Sequence, residues 1–211
     1  MMKIIDNFLS ETYFKNISEL MSGGNFKWRY YDIKKSFGRS SKSKFNEYGF
    51  SYVLSRPTLP NFSSIAHEEI DPVLPFIQPL LYQILDATDC DFILRARADM
   101  VTWSGKEDYI YQPHIDFPFP NTAAVFYVNE SDGDTIFYNI KPEQSSPVQY
   151  YQNLEEYERV SPKVNRLVLF DGDSLHTGCS PTKHKNRILI NSNFIKSENV
   201  EEYQKYYGQE F

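Results

Sequence analysis

From residue 92 onward, hydrophobic and polar residues alternate along the chain. Apolar side chains occupy every second position of the first such segment, namely Phe92, Leu94, Ala96, Ala98 and Met100. The positions between them are mostly polar and include Arg95, Arg97 and Asp99. Because successive side chains of a strand point to opposite faces, this pattern predicts a β-strand with one face in the protein and the other in water.

Further short segments of this kind follow, separated by turn residues. We predict strands at residues 109–114, 121–129, 135–139, 166–170, 174–177 and 187–195. About seven short strands at this spacing, with helices mostly in the N-terminal part, indicate a β-sandwich or barrel supported by helices.

Helical periodicity appears in the first half of the chain. Ser10 is expected to cap a helix that runs to about residue 21. Residues 63–86 also show the helical period, although they contain three prolines. We therefore predict one helix that begins near residue 71 with Pro72 in its first position, or two shorter helices. A short polar helix is predicted at residues 199–211.

The composition fits one globular domain over residues 1–211. Hydrophobic residues make up 41% and aromatic residues 16%, which favours a folded, β-rich protein. Within this domain we expect helical support at about residues 1–90, a β core at about 91–196 and a tail at 197–211.

Charge and cysteine content narrow the choice of partners and compartment. The net charge of −6 argues against a nucleic-acid partner, although residues 34–44 form a basic segment that we interpret as a solvated loop or a substrate lid. The chain has two cysteines, a number that fits a reducing compartment. No signal peptide and no apolar run of 18 residues is present, so we expect a cytoplasmic protein with no membrane partner.

Three side chains in the second half could hold one metal ion. His114 and Asp116 are two positions apart, so in an extended chain both point to the same side. His176 follows a turn much later in the chain and could supply a third ligand. Two histidines and one carboxylate are the ligand set of non-heme Fe(II) oxygenases. Arg187, at the head of a predicted strand, could bind a carboxylate through two parallel hydrogen bonds.

With these motifs, the chain resembles the 2-oxoglutarate and Fe(II)-dependent dioxygenases, in particular their prolyl 4-hydroxylase-like branch. The resemblance covers about residues 92–194. Its carriers, in order, are residues 111–116 (YQPHID), 123–129 (AAVFYVN), 132–137 (DGDTIF) and 161–170 (SPKVNRLVLF), followed by His176 and Arg187.

The resemblance implies an α+β, mainly β fold, a double-stranded β-helix (jelly-roll or cupin-like) buttressed by the N-terminal helices. It also implies that His114, Asp116 and His176 hold Fe(II). The cosubstrate 2-oxoglutarate would bind the iron, and Arg187, helped by Tyr127, would bind its far carboxylate. Two further residues, Tyr111 and Trp103, are expected to contact the cosubstrate.

The implied reaction uses O2 and 2-oxoglutarate to hydroxylate an unidentified peptide or small molecule, with release of succinate and CO2. A prolyl or other amino-acid side chain is the leading substrate class. Two alternatives stay open: oxidative demethylation of a nucleic-acid base, and a non-catalytic metal-binding module. Two positions depart from the family pattern, since Asn165 and Asp132 stand where relatives carry turn glycines. Asparagine tolerates the left-handed backbone conformation, so we expect the turn at Asn165 to be kept.

Overall fold

The computed structural model describes residues 2–32, 48–55, 72–140 and 154–207. The basic segment at residues 34–44 lies outside these ranges, as do residues 63–71 of the predicted helical region. The described elements, in chain order, are β1 (Lys3–Ile5), α1 (Glu11–Ser22), β2 (Arg29–Asp32), β3 (Tyr48–Ser55), α2 (Leu74–Asp86), β4 (Phe92–Thr102), β5 (Thr122–Tyr127), β6 (Thr135–Tyr138), β7 (Glu156–Val160), β8 (Arg166–Asp171), β9 (His176–Gly178), β10 (Asn186–Ile195), a 3-10 turn (Ser197–Asn199) and α3 (Val200–Tyr207).

The described strands form two antiparallel sheets. The larger sheet has the order β1-β8-β5-β10-β4-β3-β2, and the smaller has the order β7-β6-β9. Neighbours in this order are mostly far apart in sequence, so long connections wind the chain between the two sheets. This arrangement agrees with the predicted β-sandwich or barrel.

Side-chain alternation in the central strands separates two apolar layers. On β5, Ala124 and Phe126 pack with α1 and α2, while Val125 and Tyr127 pack against Phe137 of the smaller sheet. The layer beneath the helices is the larger of the two and contains most of the buried aliphatic side chains. The helices therefore cover the outer face of the large sheet and leave its inner face for the space between the sheets.

Helix α2 begins later than predicted. It starts at Leu74, and Pro75 rather than Pro72 occupies its first turn. Pro79 lies within the helix, where the Tyr13 hydroxyl of α1 enters the backbone ladder. This hydroxyl donates to the Phe76 carbonyl at 2.8 Å and accepts from the Leu80 amide at 3.0 Å. A side chain inserted in this way keeps both backbone groups bonded where the helix is disturbed.

Some segments differ from the predicted strands. Residues 109–114 do not form a strand, since only Ile110 and His114 make isolated bridges, to Cys179 and His176. Conversely, residues 3–5 and 156–160 form strands that we did not predict, and these pair with β8 and β6, respectively. None of the described helices has the length and apolar character that crossing a bilayer would require.

Candidate active site

Backbone pairing brings the two predicted histidines together. The His114 amide donates to the His176 carbonyl at 2.8 Å, and the His176 amide donates to the His114 carbonyl at 2.9 Å. Residues that exchange both hydrogen bonds in an antiparallel pair lie directly opposite each other, with their side chains on the same face. The two imidazole centroids are accordingly 4.6 Å apart.

Each imidazole has a backbone carbonyl beside its Nδ1 atom. The carbonyl of Ser174 lies 2.9 Å from Nδ1 of His176, and that of Gln112 lies 3.4 Å from Nδ1 of His114. A carbonyl only accepts hydrogen bonds, so it favours the tautomer in which Nδ1 carries the proton. That tautomer leaves the Nε2 lone pair of each ring available to a metal ion.

Asp116 is buried and held on both oxygens. Its side chain is 3% exposed, Arg95 Nη2 donates to Oδ1 at 2.8 Å, and Asn193 Nδ2 donates to Oδ2 at 3.0 Å. Burial alone would raise the pKa of the Asp116 carboxyl, but Arg95, the two nearby histidines and the Asn193 hydrogen bond together hold this pKa well below its usual range. The carboxylate is therefore ionised at neutral pH, as a metal ligand must be.

The potential ligand atoms of His114, Asp116 and His176 all lie within 4.8 Å of one another. Two imidazole nitrogens and one carboxylate oxygen are a donor set that suits Fe(II), and one face of an octahedron can be filled by three such ligands. The residues present thus fit the implied metal, in both atom type and proximity.

Arg187 is buried, with 6% of its surface exposed. Its Nη2 donates to the Thr135 hydroxyl, and its guanidinium lies 5.5 Å from the centre of the Tyr127 ring. Its Nε is buried without a hydrogen-bond partner among the described residues. A buried guanidinium with an unused donor fits a site for an anionic group.

Two glycines make room for this guanidinium. A Cβ atom at Gly178 would lie 2.8 Å from Arg187 Nη1, and one at Gly133 would lie 3.1 Å from Arg187 Cδ and 2.6 Å from the Cys179 carbonyl. Any larger residue at either position would collide with the arginine or with backbone. The Gly133 of the DGDTIF motif and the Gly178 that ends β9 are therefore part of the arginine site.

Tyr127 reaches the site only indirectly. It is fully buried, and its hydroxyl shares a 2.6 Å hydrogen bond with the Thr135 hydroxyl, which in turn accepts from Arg187. Thr135 lines the cavity, whereas Tyr127 does not. Sequence reasoning named Tyr127 and overlooked Thr135, although Thr135 lies in the DGDTIF motif. Thr135 could have been found in the sequence because it is a polar residue at the start of an otherwise apolar strand.

A cavity of about 130 Å³ connects the two histidines with Arg187. The described residues that line it include His114, His176, Arg187, Thr135 and Tyr111, together with Tyr31, Arg97, Asp99 and Asn191, which sequence reasoning did not single out. Trp103, by contrast, is 52% exposed and does not line the cavity. Strand β4 ends at Thr102, so the alternation that directs Arg97, Asp99 and Val101 inward does not extend to Trp103.

The polar face of β4 was predicted to face water, and this was wrong. Arg97 and Asp99 point into the cavity, where Arg97 Nε donates to Asp99 Oδ2 at 2.8 Å, and Arg95 bonds Asp116. Charges of opposite sign two positions apart on one strand can pair side by side, which makes a buried polar face tolerable. That pairing was the signal available in the sequence.

Comparisons with known proteins agree with this geometry. Residues 100–195 match the family model of the 2OG-Fe(II) oxygenase superfamily. Comparison with curated proteins gives no significant match.

Solved structures share the fold at low sequence identity. A prolyl-4-hydroxylase from Pseudomonas putida superposes with a TM-score of 0.57 and 10% identity, over 92% of each chain. A prolyl hydroxylase from Trichoplax adhaerens, in complex with a peptide fragment of the hypoxia inducible factor oxygen degradation domain, gives 0.58 and 13%, over 94% of this chain and 84% of that one. HygX from Streptomyces hygroscopicus, with nickel and 2-oxoglutarate bound, superposes with a TM-score of 0.54 and 11% identity, over 93% of this chain and 83% of that one.

These structures confirm the expected double-stranded β-helix fold. The motifs, the His-Asp-His cluster and the family match coincide in one region. Residues 100–195, the part of the chain that carries the site, therefore match the 2OG-Fe(II) oxygenase superfamily in sequence, and the chain shares its fold with the oxygenase structures above.

Proposed function

We propose that this protein is an Fe(II)- and 2-oxoglutarate-dependent dioxygenase that hydroxylates an amino-acid side chain. The observation that carries the proposal is the placement of His114, Asp116 and His176 within 4.8 Å of one another, with both histidines lining a cavity that the buried Arg187 also lines. A metal site and an anion site in one cavity are what a cosubstrate that binds both would need.

The protein groups have separate tasks in this proposal. The two neutral imidazoles and the Asp116 carboxylate would hold the iron, with Arg95 and Asn193 fixing the carboxylate. Arg187 would bind the far 2-oxoglutarate carboxylate, and Thr135 would orient the guanidinium. Bound Fe(II) would supply the activation of O2, a reaction that protein side chains do not perform alone.

The overall reaction balances for any substrate R–H. One O2 and one 2-oxoglutarate give R–OH, succinate and CO2, so one oxygen atom enters the product and the other enters succinate. The similarity in fold to two prolyl hydroxylases supports a prolyl or related side chain as the substrate.

Succinate formation tests the proposal directly. The protein would be reconstituted with Fe(II) under anaerobic conditions and mixed with 2-oxoglutarate, and succinate would be measured after O2 is admitted. We expect slow turnover without added substrate, abolished in His176→Ala. His184→Ala is the matched control, because this histidine lies outside the cavity. If the wild-type protein binds 2-oxoglutarate in a metal-dependent way but forms no succinate, the catalytic proposal fails and a binding module remains.

A further inference from the structure

The cavity contains an ion pair that the proposed reaction does not use. Arg97 and Asp99 lie two positions apart on β4, and Arg97 Nε donates to Asp99 Oδ2 at 2.8 Å. The Asp99 side chain is 10% exposed and the Arg97 side chain 25%. Both line the cavity together with His114 and His176, so they face the space where a substrate would meet the metal.

This pair leaves hydrogen-bonding capacity unused. Asp99 Oδ1 is buried and has no hydrogen-bond partner among the described residues. Among the described residues, the Arg97 guanidinium donates only through Nε, to Asp99, which leaves its two terminal amino groups for a ligand. The buried carboxylate of Asp116 differs in this respect, because each of its oxygens accepts a hydrogen bond. A buried carboxylate oxygen without a donor is unfavourable, and a ligand that brings a donor would remove the penalty.

Two neighbours of the Arg97–Asp99 pair, Asn191 and Tyr31, also line the cavity, and we call these four residues the corner. Asn191 lies directly opposite Arg97 in the β10–β4 ladder, and its Oδ1 is buried without a partner in the described part of the chain. Tyr31 lies opposite Gly49, and a Cβ atom at position 49 would come within 3.0 Å of the Tyr31 ring. The absence of a side chain at Gly49 thus allows the Tyr31 ring to lie across β3 and line the cavity.

The corner therefore presents a positive and a negative group side by side. A planar guanidinium edge pairs best with a carboxylate, and a carboxylate oxygen pairs best with a charged N–H donor. An ammonium and a carboxylate on one carbon atom match both groups at once. Peptide amides would bring only uncharged partners and would leave both charges without full compensation.

We propose that the primary substrate is a free α-amino acid whose carboxylate binds Arg97 and whose ammonium group donates to Asp99 and Asn191. This inference rests on the proposed function, which assigns Arg187 and the metal to 2-oxoglutarate. The side chain of an amino acid held at this wall would lie in the cavity that His114 and His176 line. Hydroxylation would replace one of its C–H bonds by C–OH, with O2 and 2-oxoglutarate consumed as above.

Calorimetry on the metal-free protein separates this inference from catalysis. The probes are the twenty free L-amino acids and, for each that binds, its N-acetyl and carboxamide derivatives. We expect at least one free amino acid to bind, and its two blocked derivatives to bind roughly tenfold more weakly or worse, because each lacks one charge-assisted hydrogen bond. Binding of the blocked forms as tightly as the free acid, or binding of none of the twenty, would overturn the inference.

Asp99→Asn tests the assigned residue. It keeps the side-chain shape but removes the charge, and we expect the dissociation constant of the amino acid to rise roughly tenfold or more. The control is Asp86→Asn, which makes the same change at an exposed position at the end of α2. If Asp99→Asn instead weakens the binding of 2-oxoglutarate and leaves the binding of the amino acid unchanged, the Arg97–Asp99 pair binds the cosubstrate and the inference is wrong.

Succinate formation supplies the second readout. The amino acid that binds should increase succinate formation by the Fe(II) protein. In Asp99→Asn, the KM for this amino acid should rise more than the KM for the cosubstrate. Cosubstrate turnover that no amino acid stimulates would contradict the substrate class and leave the dioxygenase proposal intact. Amino-acid binding without any turnover would contradict the dioxygenase proposal and leave the recognition site intact.

Discussion

The Arg187 guanidinium lies between two glycines and has a buried Nε without a partner among the described residues. Replacing Arg187 by Gln would remove the charge and the paired donors from the anion site. We expect a loss of about 2–4 kcal/mol in 2-oxoglutarate binding, a roughly 30- to 1,000-fold higher dissociation constant. Calorimetry on the metal-loaded protein under anaerobic conditions measures this change in the dissociation constant.

Arg159→Gln is the control for this change, because it removes an arginine that is 42% exposed and outside the cavity. Arg187→Lys should fall between the two, since lysine keeps the charge without the planar donor pair. Equal affinity in Arg187→Gln and Arg159→Gln would show that the far carboxylate binds elsewhere.

Asn165 adopts the left-handed conformation, with φ 58°, as expected for a residue in place of a turn glycine. Its side chain also accepts from the Leu9 amide and donates to the Leu9 carbonyl, both at 2.9 Å. Asn165→Gly should lower the free energy of unfolding by about 1–3 kcal/mol through the two lost hydrogen bonds. Asn165→Ala should cost about 1–2 kcal/mol more, because alanine is strained at this φ.

Urea unfolding of both variants checks this order. An alanine variant as stable as the glycine variant would mean that the turn relaxes to another conformation. Left-handed geometry at Asn165 could be predicted from sequence because it is a property of one residue. Its two bonds to Leu9 could not, because they depend on the pairing of β1 with β8.

At the scale of elements, local periodicity predicts where strands lie better than it predicts which strands pair with each other. The predicted strands at residues 121–129, 166–170 and 187–195 correspond to β5, β8 and β10, since these are continuous apolar or alternating segments. The pairing of His114 with His176 has no local signal, because β5, β6, β7 and β8 all lie between the two residues in sequence. Similarly, the polar face of β4 looks solvent-facing until the smaller sheet and its connections enclose it.

The segment between β9 and β10 is held by one carboxylate. Asp132 Oδ2 accepts from the amides of Thr182 and Lys183 at 3.0 and 2.7 Å, and Oδ1 accepts from the His184 amide at 3.2 Å. Burial opposes ionisation, but these hydrogen bonds and the His184 ring lower the pKa of Asp132 from 3.8 to about 2. Asp132, which stands where similar proteins carry a glycine, thus fixes the backbone of this segment through its carboxylate.

This depressed pKa sets the sign of a pH effect. A carboxyl with a lowered folded-state pKa stabilises the protein above its ordinary pKa of 3.8, and the contribution is lost as the pH falls toward 2. Asp132→Asn should therefore cost about 1–3 kcal/mol at pH 7, with the difference from wild type shrinking below about pH 4. Urea unfolding from pH 7 to pH 3 measures it, with Asp86→Asn as the control for loss of a surface charge. A difference independent of pH would show that the Asp132 charge is not what holds the segment.

Across the whole molecule, the proposed metal ligands belong to different parts of the fold. His176 lies on β9 of the smaller sheet, whereas Asp116 is bonded to Arg95 and Asn193 of the larger sheet. A bound metal would therefore link the two sheets and would bind the folded chain much better than the unfolded one. Since 2-oxoglutarate is proposed to bind the metal, its stabilising effect should depend on the metal.

We expect 2-oxoglutarate at a hundredfold excess over its dissociation constant to add about 2.7 kcal/mol to the free energy of unfolding when metal is present. For a chain of this size that corresponds to a rise of roughly 5–11 °C in Tm. Anaerobic calorimetric melting with Fe(II), with and without 2-oxoglutarate, measures the shift, and the chelated protein and His176→Ala serve as controls. An equal shift in the chelated protein would mean that Arg187 and its neighbours bind 2-oxoglutarate without the metal. In that case the anion site and the metal site would be energetically independent, although they share one cavity.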